Sequence, residues 1–354
     1  MTPVPAATRD RFLRACRREP VDATPVWFMR QAGRSLPEYR AVRERVSLAG
    51  IVADPGLCAE VSLQPVRRLG VDAAIVFADI TTPLPGIGLG IEIVEGVGPV
   101  VDRPVRSAAD LARLRPLDPE EAVGSLLDAI AILRRESPVP VIGFAGAPLT
   151  LAAYLVEGRT PRDLERTKAL MHAEPETFGA LLERLVDVDL AYLGAQVAAG
   201  AQAIQLFDSW VGALSPYDYR VSVLPHVRRL FDGLATLGVP TIHFGTGTAG
   251  LLEAMAEAGG DVIGLDWRVA LGDAWARLPG RAVQGNLDPA LLLGPWDATA
   301  EQVRWVLDQA RGRPGHVFNL GHGVLPGTDP DDLRRLVDLV HEETAVPADA
   351  AAMR

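Results

Sequence analysis

Short apolar runs bounded by glycine, proline or aspartate recur along the whole chain. Because the runs are continuous and do not alternate with polar residues, they are typical of parallel strands that are buried on both faces. Eight of them are present, at residues 25–29, 73–77, 139–144, 203–207, 240–244, 261–265, 282–285 and 316–320. The pattern therefore predicts eight buried strands.

Stretches with helical periodicity separate these runs. The longest covers residues 181–199, and others cover 221–237, 251–258, 300–310 and 330–340. This repeated alternation predicts an α/β fold whose parallel sheet closes into a (β/α)₈ TIM barrel. One such barrel accommodates a chain of 354 residues, so a single domain over residues 1–354 is expected. An open, doubly wound sheet is the alternative.

Two regions interrupt the alternation. Residues 88–106 contain two short apolar segments separated by glycines, which predicts a small hairpin inserted after the second strand. Residues 116–138 predict an additional helix before the third strand.

Composition and charge narrow the class of protein. The formal net charge is −10, which argues against nucleic acid as a partner because such a binder needs a basic face. No apolar run reaches the ~18 residues of a membrane span. The first residues carry charges and lack the apolar core of a signal peptide. A cytoplasmic protein that does not enter the membrane is therefore expected.

Cysteine and lysine contents limit the possible cofactors. The two cysteines, Cys16 and Cys58, are too few for a disulfide scaffold and too far apart for a closely paired structural zinc site. Lysine occurs only as Lys168, which leaves one poor candidate for a Schiff base. The Gly-Lys-Ser/Thr signature of a P-loop is absent from the sequence.

The candidate chemistry lies directly after the predicted strands, because barrel enzymes build their sites at the carboxyl ends of strands. Arg30 and Arg34 follow the first run, with Arg40 close behind. Guanidinium groups pair with carboxylates or phosphates in two-point geometry, which favours an anion clamp. Surface arginines at a helix start are the alternative, but basic residues there oppose the helix dipole.

Four further candidates follow later strands. Asp79 is either a helix cap or a fixed negative charge in the barrel mouth. Tyr154 offers a hydroxyl donor or is a core tyrosine. Ser209 offers a hydrogen bond to substrate or caps a turn, since the Gly-x-Ser-x-Gly elbow of a serine nucleophile is missing. His322 lies between two glycines, where a ligand could reach it. Other polar residues at strand ends are Asp208, His243, Asp266, Asn286 and Asp288.

Four motifs together resemble the uroporphyrinogen decarboxylase family over nearly the whole chain. They are Arg30-Gln-Ala-Gly-Arg34 followed by Leu-Pro-Glu-Tyr-Arg, Gly143-Phe-Ala-Gly-Ala-Pro148, Phe207-Asp-Ser-Trp210 and Gly321-His-Gly-Val-Leu-Pro326. Two positions depart from the family pattern. Ser35 stands where an aromatic residue is usual, and Ala78 stands where serine is usual.

The resemblance implies a homodimer of single-domain barrels that converts uroporphyrinogen III to coproporphyrinogen III in haem biosynthesis. Four acetate carboxyl groups leave as CO₂, without a cofactor or a metal. Asp79 and Arg30 are implied as catalytic, with Asp79 accepting hydrogen bonds from the pyrrole N–H groups. Either Arg30 or His322 is the candidate proton donor. The implied substrate contacts are Arg30, Gln31, Ala32, Gly33, Arg34, Asp79, Tyr154, Ser209 and His322.

Two other functions compete with this interpretation. Methyltransferases of the same superfamily bind zinc through His-x-Cys and a later cysteine. Here Ile242-His-Phe-Gly245 has glycine where the cysteine would be needed. The second alternative is a tetrapyrrole carrier without catalytic activity, which the combination of Asp79 with the arginines disfavours.

Overall fold

A curled parallel sheet of seven strands forms the centre of the molecule. The computed structural model describes residues 10–94, 97–161 and 163–346. Its strands are β1 (Ala74–Ile75), β4 (Val141–Gly146), β5 (Ala203–Asp208), β6 (Thr241–Gly245), β7 (Val262–Gly264), β8 (Ala282–Gln284) and β9 (His316–Val317). They lie side by side in this order, and every neighbouring pair is parallel.

Helices connect the strands and agree closely with the periodic stretches of the sequence. The predicted helices at 300–310 and 330–340 lie within two longer ones, and the additional helix before the third predicted strand is present. The α-helices are α1 (Arg11–Cys16), α2 (Pro37–Arg43), α3 (Leu48–Ala53), α4 (Pro55–Leu69), α5 (Ala108–Leu111), α6 (Pro119–Glu136), α7 (Pro148–Glu157), α8 (Glu165–Ala173), α9 (Pro175–Ala199), α10 (Pro216–Asp218), α11 (Leu224–Ala235), α12 (Leu252–Ala258), α13 (Leu271–Ala276), α14 (Trp296–Ala310) and α15 (Pro330–Thr344).

Local chemistry fixes where several helices begin. Asp54, Asp118 and Asp329 precede α4, α6 and α15, and each side chain accepts a hydrogen bond from a free N–H of the first turn. Proline occupies the following position in all three helices, where its missing N–H costs no hydrogen bond. The shared Asp-Pro signature therefore sets these helix starts independently of the tertiary contacts.

The predicted strand at residues 25–29 is wrong, so the sheet has seven strands where eight were expected. Within this segment Val26 makes one isolated parallel bridge, to Phe318. Two N–H groups later in the segment bond to side chains: Phe28 donates to Gln31 Oε1 at 3.0 Å and Met29 to Asn319 Oδ1 at 3.3 Å. Because side chains take the place of ladder partners, the apolar run does not extend into a strand.

This segment nevertheless lies between the two outer strands of the sheet. Phe318, directly after β9, donates its N–H to the Pro25 carbonyl at 2.8 Å. On the other side Asp72, just before β1, donates its N–H to the Val26 carbonyl at 2.7 Å. Trp27 also donates its N–H to the Phe318 carbonyl at 3.3 Å, so backbone hydrogen bonds connect residues 25–27 to both edges of the sheet.

A two-stranded antiparallel pair follows β1. It consists of β2 (Ile91–Val94) and β3 (Gly98–Val101), with Ile91 opposite Val101. The end of β3 contacts the loop after α7, since Val101 donates its N–H to the Gly158 carbonyl at 2.9 Å. This small sheet therefore lies next to the helix that carries Tyr154.

A chain of polar side chains crosses the interior of the curled sheet. Trp27 Nε1 donates to Gln284 Oε1 at 2.9 Å, and Gln284 Nε2 donates to Gln205 Oε1 at 3.0 Å. All three side chains are buried. Buried polar groups need such partners, and these bonds fix the wall beneath the carboxyl ends of the strands.

The helices that the structure describes are each too short or too polar to span a lipid bilayer.

Candidate active site

A cavity of about 520 Å³ lies at the carboxyl ends of the strands. Its charged and polar lining comes from the residues that the sequence pattern singled out. They are Arg30, Arg34, Asp79, Tyr154 and Ser209, together with the main chain around Ala32 and Gly33. Residues from four distant parts of the sequence therefore converge on one cavity, as the strand-end rule predicts.

Phenylalanine side chains form the apolar part of the same cavity. Phe77, Phe144 and Phe207 line it. The rings of Phe144 and Phe207 pack edge to face, with centroids 5.5 Å apart and an interplanar angle of 87°. Such a surface suits a flat, apolar ring system. The sequence alone does not identify these three residues as part of a site, because apolar side chains at strand ends are also typical of the core. The repetition of phenylalanine at three neighbouring strand ends is the signal that could have identified them.

Asp79 has one oxygen fixed and one available. Its Oδ1 accepts hydrogen bonds from the Thr81 main-chain N–H at 2.9 Å and from the Thr81 hydroxyl at 2.6 Å. The Asp79 N–H donates in turn to Thr82 Oγ1 at 3.1 Å. Oδ2 has no hydrogen-bond partner within the described ranges. The carboxylate is therefore oriented by its own turn and retains acceptor capacity at the cavity.

Arg30 is held in an unusual backbone conformation. Its φ is +60°, in the left-handed region that residues with a side chain seldom occupy. Glycines on both sides make room for it. A Cβ at Gly33 would lie 2.8 Å from the Arg30 carbonyl oxygen, and a Cβ at Gly323 would lie 2.5 Å from Arg30 Cδ. The surrounding loops therefore determine the position of this side chain. A strained backbone conformation that is held in this way is common at functional sites.

Arg40, the third arginine of the first motif, has a different environment. Its Nη1 donates to the carbonyls of Arg34 at 2.8 Å and Ser35 at 3.0 Å. It is absent from the residues that line the cavity. Arg40 therefore stabilises the loop on which Arg34 is presented.

Tyr154, on α7, is nearly buried and remains protonated. Its ring packs edge to face on Trp210, with centroids 5.0 Å apart. Burial raises the pKa of the Tyr154 hydroxyl to about 12, and the Asp79 carboxylate contributes in the same direction. The Thr160 side chain and the Arg30 cation act in the opposite sense on this pKa. The hydroxyl is consequently a hydrogen-bond donor at neutral pH, close to the charges of Asp79 and Arg30.

His322 lies on the loop after β9, which packs tightly against its surroundings. A Cβ at Gly321 would lie 2.5 Å from the Trp267 main-chain nitrogen. Partial burial lowers the pKa of His322, and the cations of Arg30 and Arg268 lower it further, against the Asp266 carboxylate. The neutral imidazole is therefore favoured in the free protein. His322 is not among the residues that line the 520 Å³ cavity, although it lies near Arg30.

Gln31 is another predicted site residue whose side chain lies outside the cavity. It is fully buried, accepts the Phe28 N–H at 3.0 Å and donates to the Ala73 carbonyl at 3.0 Å. Both ends of the amide are thus used within the protein. Any contact of Gln31 with a ligand would come from its main chain.

Nearly the whole chain matches a known family model. The model describes uroporphyrinogen decarboxylase (URO-D), and it matches residues 7–343. The chain belongs to the uroporphyrinogen decarboxylase family. Among curated relatives, the uroporphyrinogen decarboxylase of Streptomyces griseus is 58% identical over 342 residues, covering 96% of this chain and 93% of that protein. The uroporphyrinogen decarboxylase of Thermus thermophilus is 55% identical over 336 residues, covering 95% and 98%.

Solved structures of other enzymes share the fold. A methyltransferase from Methanosarcina mazei superposes with a TM-score of 0.76 at 20% identity, covering 95% of this chain and 98% of that one. A B12-independent methionine synthase from Shewanella gives a TM-score of 0.55 at 14% identity, covering 84% and 89%. At these identities the likeness concerns the fold alone.

Within residues 10–94, 97–161 and 163–346, the side chains of this uroporphyrinogen decarboxylase family member do not form the zinc site of the methyltransferase alternative. His243 is fully buried, and its Nε2 lies 3.4 Å from Asp208 Oδ2. Cys16 and Cys58 are buried and free. In the described part of the chain, no three histidine, cysteine or acidic side chains are grouped as metal ligands.

A second, larger cavity adjoins the first in this family member. It has a volume of about 980 Å³ and shares Arg34, Tyr39 and Asp79 with the 520 Å³ cavity. Its far wall is formed by α3, β2 and the start of α6. The two cavities together offer more room than the first alone, with Asp79 and Arg34 where they meet.

Proposed function

We propose that the chain removes the four acetate carboxyl groups of uroporphyrinogen III and yields coproporphyrinogen III and CO₂. The observation that carries this proposal is the environment of Asp79. Thr81 fixes one oxygen of the Asp79 carboxylate, and the other oxygen is available. Arg30 and Arg34 line the same cavity, together with phenylalanine side chains. The chain is 58% identical in sequence to two Streptomyces proteins named uroporphyrinogen decarboxylase, which supports the same reaction.

The reaction needs an electron acceptor, and the substrate itself provides one. A proton added at the α-carbon of a pyrrole makes a cationic ring. The bond between the acetate methylene and its carboxylate then breaks, CO₂ leaves, and the electron pair forms an exocyclic double bond that neutralises the ring. A second proton on the methylene carbon completes the methyl group, and the first proton is lost. Each CO₂ therefore consumes one proton, and no cofactor enters the balance.

Asp79 has the electrostatic part in this scheme. Its available oxygen accepts hydrogen bonds from pyrrole N–H groups, which become more acidic as the ring becomes cationic. A fixed anion that meets charge only in the transition state stabilises that state more than the ground state. Because Thr81 already orients the carboxylate, little reorganisation is needed during the reaction.

The other residues bind carboxylates. Arg30 and Arg34 supply guanidinium groups, the Tyr154 hydroxyl and Ser209 supply neutral donors, and the imidazole of His322 donates from the loop after β9. The main chain of residues 31–33 adds contacts beside Arg30. A substrate with eight carboxylates needs several such anchors, and guanidinium groups pair with carboxylates at two points.

Arg30 is the candidate for both anchor and proton donor, directly or through an adjacent water. His322 has the intrinsic pKa that suits an acid, but burial and two neighbouring cations lower that pKa. Few His322 side chains are therefore protonated before substrate binds. Solvent isotope effects on Arg30→Lys and His322→Asn variants separate the two roles, because only the variant that loses the donor changes the proton-transfer step.

The proposal extends to architecture and assembly. Residues 25–29 close the curled sheet of seven strands into a barrel of the (β/α)₈ type without forming an eighth strand, and their hydrogen bonds to both edges of the sheet support this closure. Residues 1–354 act as one domain, two copies form a homodimer, and the protein works in the cytoplasm.

One assay tests the function. The full chain is incubated with anaerobically prepared uroporphyrinogen III, and the products are oxidised and separated by chromatography. We expect stepwise loss of four carboxylates. Bound porphyrinogen that keeps all eight would instead indicate a carrier. A stoichiometric zinc ion together with methyl transfer would indicate the methyltransferase alternative.

A further inference from the structure

Arg268 is a second cation close to His322 that no motif singled out. It follows β7 and lies two residues beyond Asp266, on the same side of the sheet as the other site residues. Its side chain is about half exposed, with a relative exposure of 51%. It is therefore accessible at the mouth.

The guanidinium of Arg268 is held in place from two directions. Its Nη1 donates to Asp266 Oδ2 at 2.8 Å, and its centre lies 4.1 Å from the centroid of the Trp267 ring. Asp266 is itself fully buried and accepts the main-chain N–H groups of Gly247 and Arg268. A buried carboxylate and a stacked ring thus restrict a side chain that would otherwise be mobile.

This anchoring leaves donors available. Arginine carries five N–H donors. Within residues 10–94, 97–161 and 163–346, the side chain of Arg268 donates from Nη1 alone. Nε and Nη2 can therefore form the two parallel hydrogen bonds with which a guanidinium recognises a carboxylate.

The packing around His322 brings Arg268 to the site. A Cβ at Gly321 would lie 2.5 Å from the Trp267 nitrogen and 3.0 Å from its ring, whereas a Cβ at Gly323 would meet Arg30. The loop with His322 at its centre is thus held between Trp267 and Arg30. The lowered pKa of His322 agrees with this placement, since Arg30 and Arg268 both act on it after burial.

The order of the sheet places Arg268 far from Asp79. Three strands, β4, β5 and β6, separate β7 from β1. Asp79 follows β1, so the two side chains stand on different sides of the mouth. A group bound at Arg268 is therefore remote from a pyrrole bound at Asp79.

We propose that Arg268 binds a peripheral carboxylate of the substrate, on the side of His322 away from Arg30. The inference rests on the proposed decarboxylase function and adds a substrate contact to it. Arg268 holds a carboxylate that stays on the macrocycle while another acetate reacts, so it contributes equally to binding of the substrate and of the transition state.

A second arginine that stacks on a tryptophan serves as a control, because it shows the effect of losing such a stacked cation away from the site. Arg313 lies over Trp275 with the same distance, 4.1 Å, from the guanidinium centre to the ring centroid. It precedes β9 and therefore lies at the amino ends of the strands. It resembles Arg268 in stacking and charge but is remote from the mouth.

The test compares Arg268→Gln, Arg268→Lys and Arg313→Gln in the full chain with uroporphyrinogen III. We expect Arg268→Gln to raise KM roughly tenfold, the effect of one lost charge-assisted contact, with kcat nearly unchanged. Arg268→Lys should recover part of the loss. Arg313→Gln should leave both constants at the wild-type level.

Titration of the histidines by NMR in the substrate-free protein gives a second readout. The resonance of His322 is identified by its loss in His322→Asn. We expect Arg268→Gln to raise the pKa of His322, because one repelling cation is gone, and Arg313→Gln to leave it unchanged.

An active wild type whose KM is unaffected by Arg268→Gln overturns this inference and leaves the proposed function standing. An equal rise of KM in Arg313→Gln also overturns it, since the effect would then not belong to the mouth. A wild type that does not decarboxylate the substrate removes the proposed function, and the inference falls with it.

Discussion

Asp72 and Asp79 flank the same short strand and have opposite surroundings. Asp72, before β1, is nearly buried and uses both oxygens: Oδ1 accepts from Arg11 at 3.2 Å, and Oδ2 accepts from the Val26 N–H and from His341, each at 2.7 Å. Asp79, after β1, has one oxygen satisfied by Thr81 and lines a cavity. Seven residues apart, one carboxylate is enclosed and the other is available.

Two histidines at opposite ends of β9 show the same difference between an enclosed and an available side chain. His316, at its start, is buried and donates from Nε2 to the Gly285 carbonyl at 3.0 Å. His322, after its end, is partly exposed between two glycines. Asp72 and His316, at the amino ends of the strands, are thus bonded within the protein and connect elements, whereas Asp79 and His322, at the carboxyl ends, keep capacity for a ligand. The difference separates residues whose loss lowers stability from residues whose loss lowers activity.

Asp79→Asn should have the largest effect. The substitution keeps the shape of the side chain but removes the negative charge that faces the cationic ring. We expect kcat to fall by roughly 10²–10³-fold, as when a preorganised electrostatic contact is lost. KM and the free energy of unfolding should change little. Steady-state assays with uroporphyrinogen III and urea denaturation measure both.

Asp288→Asn is the matched control for this variant. Asp288 also follows a strand, but its Oδ1 caps a helical turn by accepting the Ala290 N–H at 2.9 Å. Turnover should be unaffected there. Equal turnover in Asp79→Asn and the wild type would contradict the assignment of Asp79.

Asp72→Asn should give the reverse result. It weakens the contacts to Arg11 and His341, which lie on α1 and α15 and connect the two ends of the chain to the sheet. Breaking a buried ion pair costs about 3 kcal/mol or more. We expect a loss of about that size in the free energy of unfolding, with kcat per folded molecule retained. A large fall in kcat without a change in stability would remove the distinction between the two ends of β1.

Much of the fold was predictable because it depends on local signals. The helix predicted at 330–340 lies within α15, whose start is fixed by Asp329 and Pro330. The failure at residues 25–29 has a long-range cause. The groups that replace its ladder partners include Asn319, almost three hundred residues away. Periodicity within a window of sequence carries no information about such a contact.

The candidate site was predictable as a set of strand ends, and less so in the orientation of each side chain. Arg30 and Asp79 both line one cavity. Gln31 stands between the motif arginines, yet its side chain is buried in the wall, because adjacency in a motif does not fix direction. Phe144 was missed since apolar character at a strand end does not distinguish the core from a cavity floor.

The pH dependence of stability reports the buried environment of His316, at the amino end of β9. Burial lowers the pKa of His316 to about 4, whereas an exposed histidine titrates near 6.5. The folded state therefore favours the neutral ring, and the unfolded chain takes up the proton first as the pH falls. This contribution to stability is complete above about pH 6.5 and is lost between about 6.5 and 4.

Urea denaturation across that window measures the contribution. The wild type should lose up to about 1.4 kcal/mol per pH unit from this group, and His316→Asn should show a shallower slope. His322→Asn should change the slope less, because partial exposure already permits solvation of the imidazolium. Identical slopes in the wild type and His316→Asn would contradict the buried, neutral state of His316.

Substitution of Thr81 should have the smallest effect on kcat, and it tests whether the orientation of Asp79 matters for activity. Thr81→Val removes the hydroxyl that bonds to Asp79 Oδ1 at 2.6 Å and keeps the main-chain N–H at 2.9 Å. Since one hydrogen bond to a charged group contributes roughly 1.5 kcal/mol, we expect kcat to fall about tenfold with KM nearly constant. Thr81→Ser restores the hydroxyl and should restore kcat. If Thr81→Val leaves kcat at the wild-type value, the hydroxyl does not orient Asp79, and preorganisation of this carboxylate is not what distinguishes it from Asp72.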